Sequence, residues 1–171
     1  QFILGTKAET LSRLKEMVKK SVILDQISFC LDQWNKNRDD ILSKIAREYD
    51  QKTIIIRSSA NSEDNEVTSG AGAYDTVMNV PANDESKTSD AIEQVFHSYG
   101  ELDVTNQILI QEMIKDVTFS GVLLTETLAS GRPYYVINYD DITGATDSVT
   151  NGAGKDTKIF KIFRGLTDFS K

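Results

Sequence analysis

The stretch that decides the fold lies between residues 53 and 80 and reads TIIIRSSANSEDNEVTSGAGAYDTVMNV. Its β-branched apolar run, 53–56, predicts a short buried strand, and the alternating segment 74–80 predicts a second one. We expect Arg57 to end the first strand, with Ser58 and Ser59 opening a polar loop.

That loop contains the sequence Ser69-Gly70-Ala71-Gly72. Glycines let main-chain N–H groups approach a phosphate closely, and an Arg supplies a planar fork of donors. A strand that delivers Arg57 to a glycine-containing loop therefore predicts an anion site.

The amino-acid sequence of this stretch resembles that of the nucleotide-binding domain of phosphoenolpyruvate synthase and pyruvate phosphate dikinase, a family with an ATP-grasp fold. The matching residues read Arg-Ser-Ser-Ala-x-x-Glu-Asp over 57–64 and Ser-x-Ala-Gly-x-Tyr-Asp-Thr-x-x-Asn-Val over 69–80. The resemblance implies that Arg57 binds phosphates and acts in catalysis. It also implies that the loop Ser69, Gly70, Ala71 and Gly72 covers the triphosphate and that Thr76 lies at the nucleotide.

Residues 5–11 contain a second part of the resemblance. Apolar residues at helical spacing predict a helix over 7–19, with Thr6 as N-cap and Glu9 completing a capping box. The family has Gly-Gly-Lys-x-x-x-Leu here, and this chain has Gly5-Thr6-Lys7-Ala8-Glu9-Thr10-Leu11. The resemblance implies that Lys7 contacts the nucleotide phosphates.

A third part, Gln111, Glu112, Met113 and Ile114, matches the interdomain hinge strand that receives adenine in the family. Main-chain groups of such a segment can bind the edge of the base, and Met113 and Ile114 would provide an apolar slot. The run 120–125, Ser-Gly-Val-Leu-Leu-Thr, also resembles the family pattern.

The other elements follow from periodicity. We expect a short strand at 22–24, a helix over 37–49, a polar linker at 84–89, and a helix from 89 to 99 capped by Ser89 or Asp90. Strands at 107–113, 119–125 and 134–139 predict an antiparallel meander because their connections are short, and a last strand covers 158–163. The fold class is therefore α/β (α+β), an incomplete ATP-grasp-like nucleotide-binding domain with a largely antiparallel sheet and flanking helices.

Bulk properties narrow the function classes. The net charge of −7 over 171 residues makes nucleic acid an improbable partner. The single cysteine, Cys30, excludes an internal disulfide and fits a reducing cytoplasm. No apolar run reaches the length of a membrane span, so we expect no membrane partner and a cytoplasmic location.

The single histidine and the paired carboxylates have plain interpretations. His97 lies off the apolar face of its helix, and its surroundings do not resemble the family's phosphohistidine motif. The pairs Glu63-Asp64 and Asp140-Asp141 are predicted to be surface loop charges, and no Cys/His metal site is expected.

The resemblance covers only the N-terminal part of the family's domain. This chain lacks the Pro-Pro-Gly-Phe-like segment of the family, and neither the family's Gln-x-Arg-Pro strand nor its phosphohistidine motif occurs in it. We therefore interpret residues 1–171 as the N-terminal part of the ATP-binding domain, with ATP as ligand. The Mg²⁺ ligands, the phosphohistidine domain and the acceptor domain are expected elsewhere in the same polypeptide, so that this fragment alone is inactive.

Alternatives remain for the function. The resemblance implies an ATP-dependent phosphotransferase that passes a phosphoryl group through a histidine to pyruvate or a similar acceptor. The acceptor could instead be a glutamine amide, as in glutamine kinase, or an antibiotic hydroxyl, as in rifampin phosphotransferase. A non-catalytic nucleotide-binding regulatory module is a different class of function.

Overall fold

The computed structural model describes residues 5–60, 64–65, 68–69, 74–100, 103–146, 148–149 and 157–166. The loop residues Gly70, Ala71 and Gly72 and the segment 1–4 lie outside them. The described chain divides into two compact units, Gln1–Met113 and Ile114–Lys171.

The first unit contains three helices and six strands within the described residues. These are α1 (Lys7–Met17), β1 (Gln26–Cys30), α2 (Leu31–Glu48), β2 (Thr53–Ser59), β3 (Asp64–Asn65), β4 (Thr68–Ser69), β5 (Thr76–Pro81), α3 (Glu85–Ser98) and β6 (Gln107–Glu112). An antiparallel sheet has the strand order β1-β6-β2-β5, and β3 pairs with β4 in a small separate ribbon.

The second unit contains β7 (Ser120–Leu124), β8 (Tyr134–Asp140), β9 (Lys158–Phe163) and a short 3₁₀ helix, Arg164–Leu166. Its strands form an antiparallel sheet in the order β7-β8-β9. The mixed α/β architecture with antiparallel sheets and flanking helices confirms the predicted fold class.

The hydrophobic core lies on one face of the four-stranded sheet. Alternate residues of each strand point to the same face, and those of the core face are buried against α2 and α3. Its members include Ile27, Phe29, Ile54, Ile56, Ile108 and Ile110 from the strands and Trp34, Ile45, Ile92, Val95 and Phe96 from the helices. The predicted apolar face of α3 is thereby confirmed.

Helix α1 belongs to the opposite, more polar face. The main-chain N–H of Ala8 donates to the Ser59 hydroxyl at 2.9 Å, and the Gln26 amide nitrogen donates to the Ala8 carbonyl at 2.8 Å. Both side chains come from strand positions that alternate with the core residues. The predicted capping box is confirmed, since Thr6 accepts from the Glu9 N–H and Glu9 accepts from the Thr6 N–H.

Several element predictions were wrong at their boundaries. The strand expected at 22–24 lies at Gln26–Cys30, where Ile27 and Phe29 enter the core. Helix α2 begins at Leu31, six residues before the expected start, and Asn37 interrupts it with non-helical angles (φ −134°, ψ 34°). The apolar pair Leu31 and Trp34 already shows helical spacing.

Two further corrections concern α3 and the meander. The expected linker 84–89 is the first part of α3, because the Asp84 carboxylate accepts from the Lys87 N–H and caps the helix. Strand β6 does not join β7 and β8 but runs between β1 and β2. The meander instead consists of β7, β8 and β9.

Candidate functional site

Arg57 lies inside β2 and does not end it. Its Cα pairs with Thr76 of β5 and with Leu109 of β6, so these three side chains share the polar face of the sheet. The expected loop position of Ser58 and Ser59 was wrong as well, since both are paired with β6 and almost fully buried. The strand is longer than expected because pairing with β6 continues to Ser59, whose N–H also donates to the Tyr99 hydroxyl.

Lys7 reaches the same strand from α1. Its ammonium group donates to the Ser58 carbonyl at 3.2 Å, next to Arg57 along the chain. Two residues predicted at the phosphates from distant sequence positions thus belong to neighbouring parts of the fold, because the Lys7 ammonium binds the carbonyl of the residue that follows Arg57.

The remaining phosphate-loop residues are only partly described. Thr76 is exposed and pairs with Arg57. The main chain of Ser69 pairs with Asp64 in the small ribbon, whereas Gly70, Ala71 and Gly72 lie outside the described residues.

The predicted adenine segment ends β6. Gln111 is 6% exposed and pairs with Gln26 on one side and Ile55 on the other. Its side chain therefore lies on the same face as Arg57, two positions from Leu109. The Met113 N–H donates to the Thr53 carbonyl at 2.9 Å, which extends the pairing with β2 by one residue.

Glu112 has a different environment. Its carboxylate forms an ion pair of 2.7 Å with Lys52. Successive residues of β6 direct their main-chain N–H and C=O alternately towards β2 and towards β1, and those of Glu112 point towards β1. The pairing between β1 and β6 ends at Gln26 and Gln111. These main-chain groups thus lie one residue past the end of that ladder, beside a pocket of about 360 Å³ lined by residues 22–25, Tyr49 and Lys52.

The Tyr49 hydroxyl, in the wall of this pocket, lies 3.2 Å from the Asp25 carbonyl oxygen and 3.3 Å from that of Ile110, and it shares its one proton between them. Burial of the ring raises the pKa of Tyr49 to about 12. Ile114, the last predicted adenine residue, is 54% exposed and is the first residue of the second unit. The division of the chain into two units therefore falls inside the segment predicted as a hinge.

Two buried side-chain oxygens lack a hydrogen-bond partner among the described residues. They are Gln26 Oε1 and Thr53 Oγ1. Gln26 pairs with Gln111, and Thr53 accepts from Met113, so both belong to the β6 end that carries the predicted adenine segment. Buried polar atoms normally have partners, and no sequence signal pointed to these two residues.

A second pocket, of about 350 Å³, lies between α2 and α3 and is lined by Trp34, Arg38, Glu93 and His97 among others. None of the predicted site residues lines it. The Arg38 guanidinium stacks over Trp34 and pairs with Glu93 at 2.8 Å. His97 is exposed, and its Nδ1 lies 2.6 Å from the Glu93 carbonyl, a local contact within α3.

Asp140, in the second unit, was predicted to be a surface loop charge, and this prediction was wrong. It is 3% exposed and accepts hydrogen bonds from the main-chain N–H groups of Ile142 and Thr143. A hydrogen bond from the Thr143 hydroxyl, together with these N–H groups and Ser148, holds the pKa of Asp140 well below its usual range. Asp141 behaves as predicted, pairing at the surface with Lys158. Glu63, which belongs to the other predicted pair, lies outside the described residues.

Among the described residues, no three His, Cys, Asp or Glu side chains gather in a group that could hold a metal ion. A search of that same part of the chain finds no helix long and apolar enough to span a membrane.

The sequence profile described as "Pyruvate phosphate dikinase, AMP/ATP-binding domain" matches residues 6–160. The chain therefore belongs to this family and carries the AMP/ATP-binding module of the phosphoenolpyruvate synthase and pyruvate phosphate dikinase group. Comparison with curated proteins finds no significant match.

Proposed function

We propose that this chain is the ATP-binding portion of a phosphoenolpyruvate-synthase-like phosphotransferase. In this proposal a phosphoryl group of ATP passes to a histidine on another domain and then to an acceptor such as pyruvate. The observation that carries it is the meeting of Lys7 with the Ser58 carbonyl beside Arg57.

The two cations suit the triphosphate end of the nucleotide. An Arg guanidinium can bind phosphate oxygens with two parallel N–H donors, and a Lys ammonium adds a compact charge. Arg57 lies on a central strand whose position is fixed by pairing on both sides. It would hold the phosphates in a fixed orientation and stabilise charge that develops during transfer, with Thr76 beside it. The resemblance assigns the loop 69–72 to the same phosphates.

The other end of the polar face suits the base. Gln111, Glu112 and Met113 lie about 7–13 Å from Arg57 along the strand direction, a distance that an extended nucleoside triphosphate covers. The main-chain groups of Glu112 lie past the β1 ladder, where they could bind the edge of adenine. The unpartnered oxygens of Gln26 and Thr53 fit a site completed by a polar ligand, and Ile114 remains a proposed apolar contact.

Magnesium would be expected with the triphosphate, where it neutralises charge on the β- and γ-phosphate oxygens. The described residues offer no cluster that would hold it. The metal ligands are therefore proposed to lie in other parts of the polypeptide, and no step is assigned to the ion here.

The phosphoryl carrier is proposed to be a histidine of another domain. His97 does not fit this role, because it lies on the core-side helix α3 among the residues of the pocket at Trp34, away from Lys7 and Arg57. The acceptor domain is likewise proposed to belong to the same polypeptide, and the proposed location is the cytoplasm.

The test is titration of Mg·ATP into the 171-residue chain by calorimetry. We expect saturable 1:1 binding that Lys7→Ala weakens about tenfold or more, the loss expected for one charge-assisted hydrogen bond. Lys44→Ala is the matched control, since Lys44 is an exposed lysine of α2 that pairs with Glu48. Absence of saturable binding, or equal affinity of the two variants, would contradict the proposal.

A further inference from the structure

Tyr99, which follows α3, extends its side chain to the ends of β2 and β6. Its hydroxyl accepts a hydrogen bond from the Ser59 N–H at 2.9 Å and donates one to the Gln107 carbonyl. Ser59 and Gln107 are direct partners in the sheet. A single hydroxyl therefore joins the main chains of both strands at this end, and the Tyr99 residue is only 8% exposed.

The same two residues hold the start of α1 through their side chains. The Ser59 hydroxyl accepts from the Ala8 N–H at 2.9 Å, and the Gln107 amide oxygen accepts from the Thr6 hydroxyl at 2.9 Å. Thr6 and Ala8 flank Lys7. Hydrogen bonds thus join the Tyr99 hydroxyl, through Ser59 and Gln107, to the two residues that flank Lys7. Thr6, Ala8 and Ser59 are buried, and Gln107 is half-buried.

Tyr99 also touches the segment that leads into β5. Its ring packs edge-to-face against Tyr74, with the ring centroids 4.8 Å apart. Tyr74 precedes Thr76, the β5 residue paired with Arg57. Tyr99 therefore contacts Ser59 and Gln107, which bind the residues that flank Lys7, and it also contacts Tyr74 in the segment that leads to the strand partner of Arg57.

We propose that Tyr99 is a positioning residue for the nucleotide site and that it acts through Lys7. The hydroxyl fixes Ser59 and Gln107, these fix the first turn of α1, and the Lys7 ammonium is thereby held at the Ser58 carbonyl. Tyr99 itself does not touch the nucleotide. This inference rests on the proposed function, because it assumes that Lys7 binds the phosphates.

Ser89 provides the control. It lies in α3, is 5% exposed, and its hydroxyl accepts a hydrogen bond from the Arg38 guanidinium. This contact involves none of the supports of Lys7 and none of the residues proposed to bind adenine. Ser89→Ala, like Tyr99→Phe, removes one buried hydroxyl, so it shows how a loss of stability away from the site affects ATP affinity.

The experiment is a double-mutant cycle on ATP affinity. Mg·ATP is titrated into wild type, Tyr99→Phe, Lys7→Ala and the double variant, at a temperature where circular dichroism shows each protein to be fully folded. We expect Tyr99→Phe to weaken the Kd at least about fivefold, since small misplacements of binding groups are costly. In the Lys7→Ala background the same change should have no further effect, and Ser89→Ala should bind ATP as the wild type does.

The outcomes separate the two proposals. If wild type does not bind ATP, the proposed function fails. If Lys7→Ala weakens binding but Tyr99→Phe does not, or if the two losses add, the inference about Tyr99 fails while the proposed function stands. If Tyr99→Phe does not fold, Ser59→Ala takes its place in the cycle, because it removes the contact with Ala8; unchanged affinity in Ser59→Ala then overturns the inference.

Discussion

Arg57 was predicted in the correct strand but at the wrong position within that strand. The sequence predicted a cation at a strand end, but pairing with Thr76 and Leu109 places it within the strand. Two β-strand neighbours restrict its backbone more than a loop would. That restriction favours a role in which the guanidinium must keep one orientation.

The prediction at this scale concerns Arg57 and ATP binding. Arg57→Ala should weaken the Kd for Mg·ATP about tenfold or more because a charged, forked donor is lost. Arg57→Lys should recover only part of the affinity, since a point charge does not reproduce the fork. Calorimetric titration and thermal unfolding are measured on the same preparations.

The alternative is a structural arginine that holds its own loop. In that case Arg57→Ala would lower the melting temperature, while the folded protein would bind ATP with normal affinity. A folded Arg57→Ala variant with unchanged Kd removes Arg57 from the site.

Helix α3 illustrates how a helix start depends on one side chain. The polar run before the apolar face resembles a linker, yet Asp84 caps it and makes Glu85–Ser98 helical. The pKa of Asp84 is lowered mainly by a hydrogen bond from the Lys87 ammonium and, to a smaller extent, by one from the Lys87 main-chain N–H. Thr88 and Ser89, inside the supposed linker, are buried.

We therefore expect Asp84→Ala to lower the melting temperature by a few degrees, because the first turn loses its cap. Asp90→Ala is the control, since it removes the same charge from an exposed position within α3. Circular dichroism melts measure both variants. Equal melting temperatures would show that Asp84 does not define the start of the helix.

At the scale of the molecule, the division at Met113 and Ile114 separates two compact units. The single tryptophan, Trp34, is 3% exposed in the first unit. Its fluorescence should therefore report unfolding of that unit, whereas far-UV circular dichroism reports both. Two separate compact units need not unfold in one transition.

The corresponding prediction uses Gly121 in β7, where an added Cβ would lie 2.6 Å from the Asn138 carbonyl oxygen of β8. Gly121→Ala should destabilise the three-stranded sheet and lower the midpoint seen by circular dichroism, while the Trp34 fluorescence midpoint stays within error. A parallel shift of both midpoints would mean that the two units unfold as one.

The sequence by itself determined the fold class, the capped helix α1, the apolar face of α3 and the family. These depend on local periodicity and on long ordered motifs, which the chain carries whatever its tertiary context. The candidate site residues Lys7, Arg57 and Gln111 were also identified from motifs, and their roles remain predictions.

Only the tertiary structure decided where β6 pairs, how far β2 extends and that hydrogen bonds link Tyr99, Ser59 and Gln107 to the residues that flank Lys7. Strand pairing between segments some 50 residues apart leaves no local pattern, because hydrogen bonds between main chains do not depend on side-chain identity. Burial of Ser59 and Asp140 was missed for the related reason that polar residues become buried only where distant groups supply their hydrogen bonds.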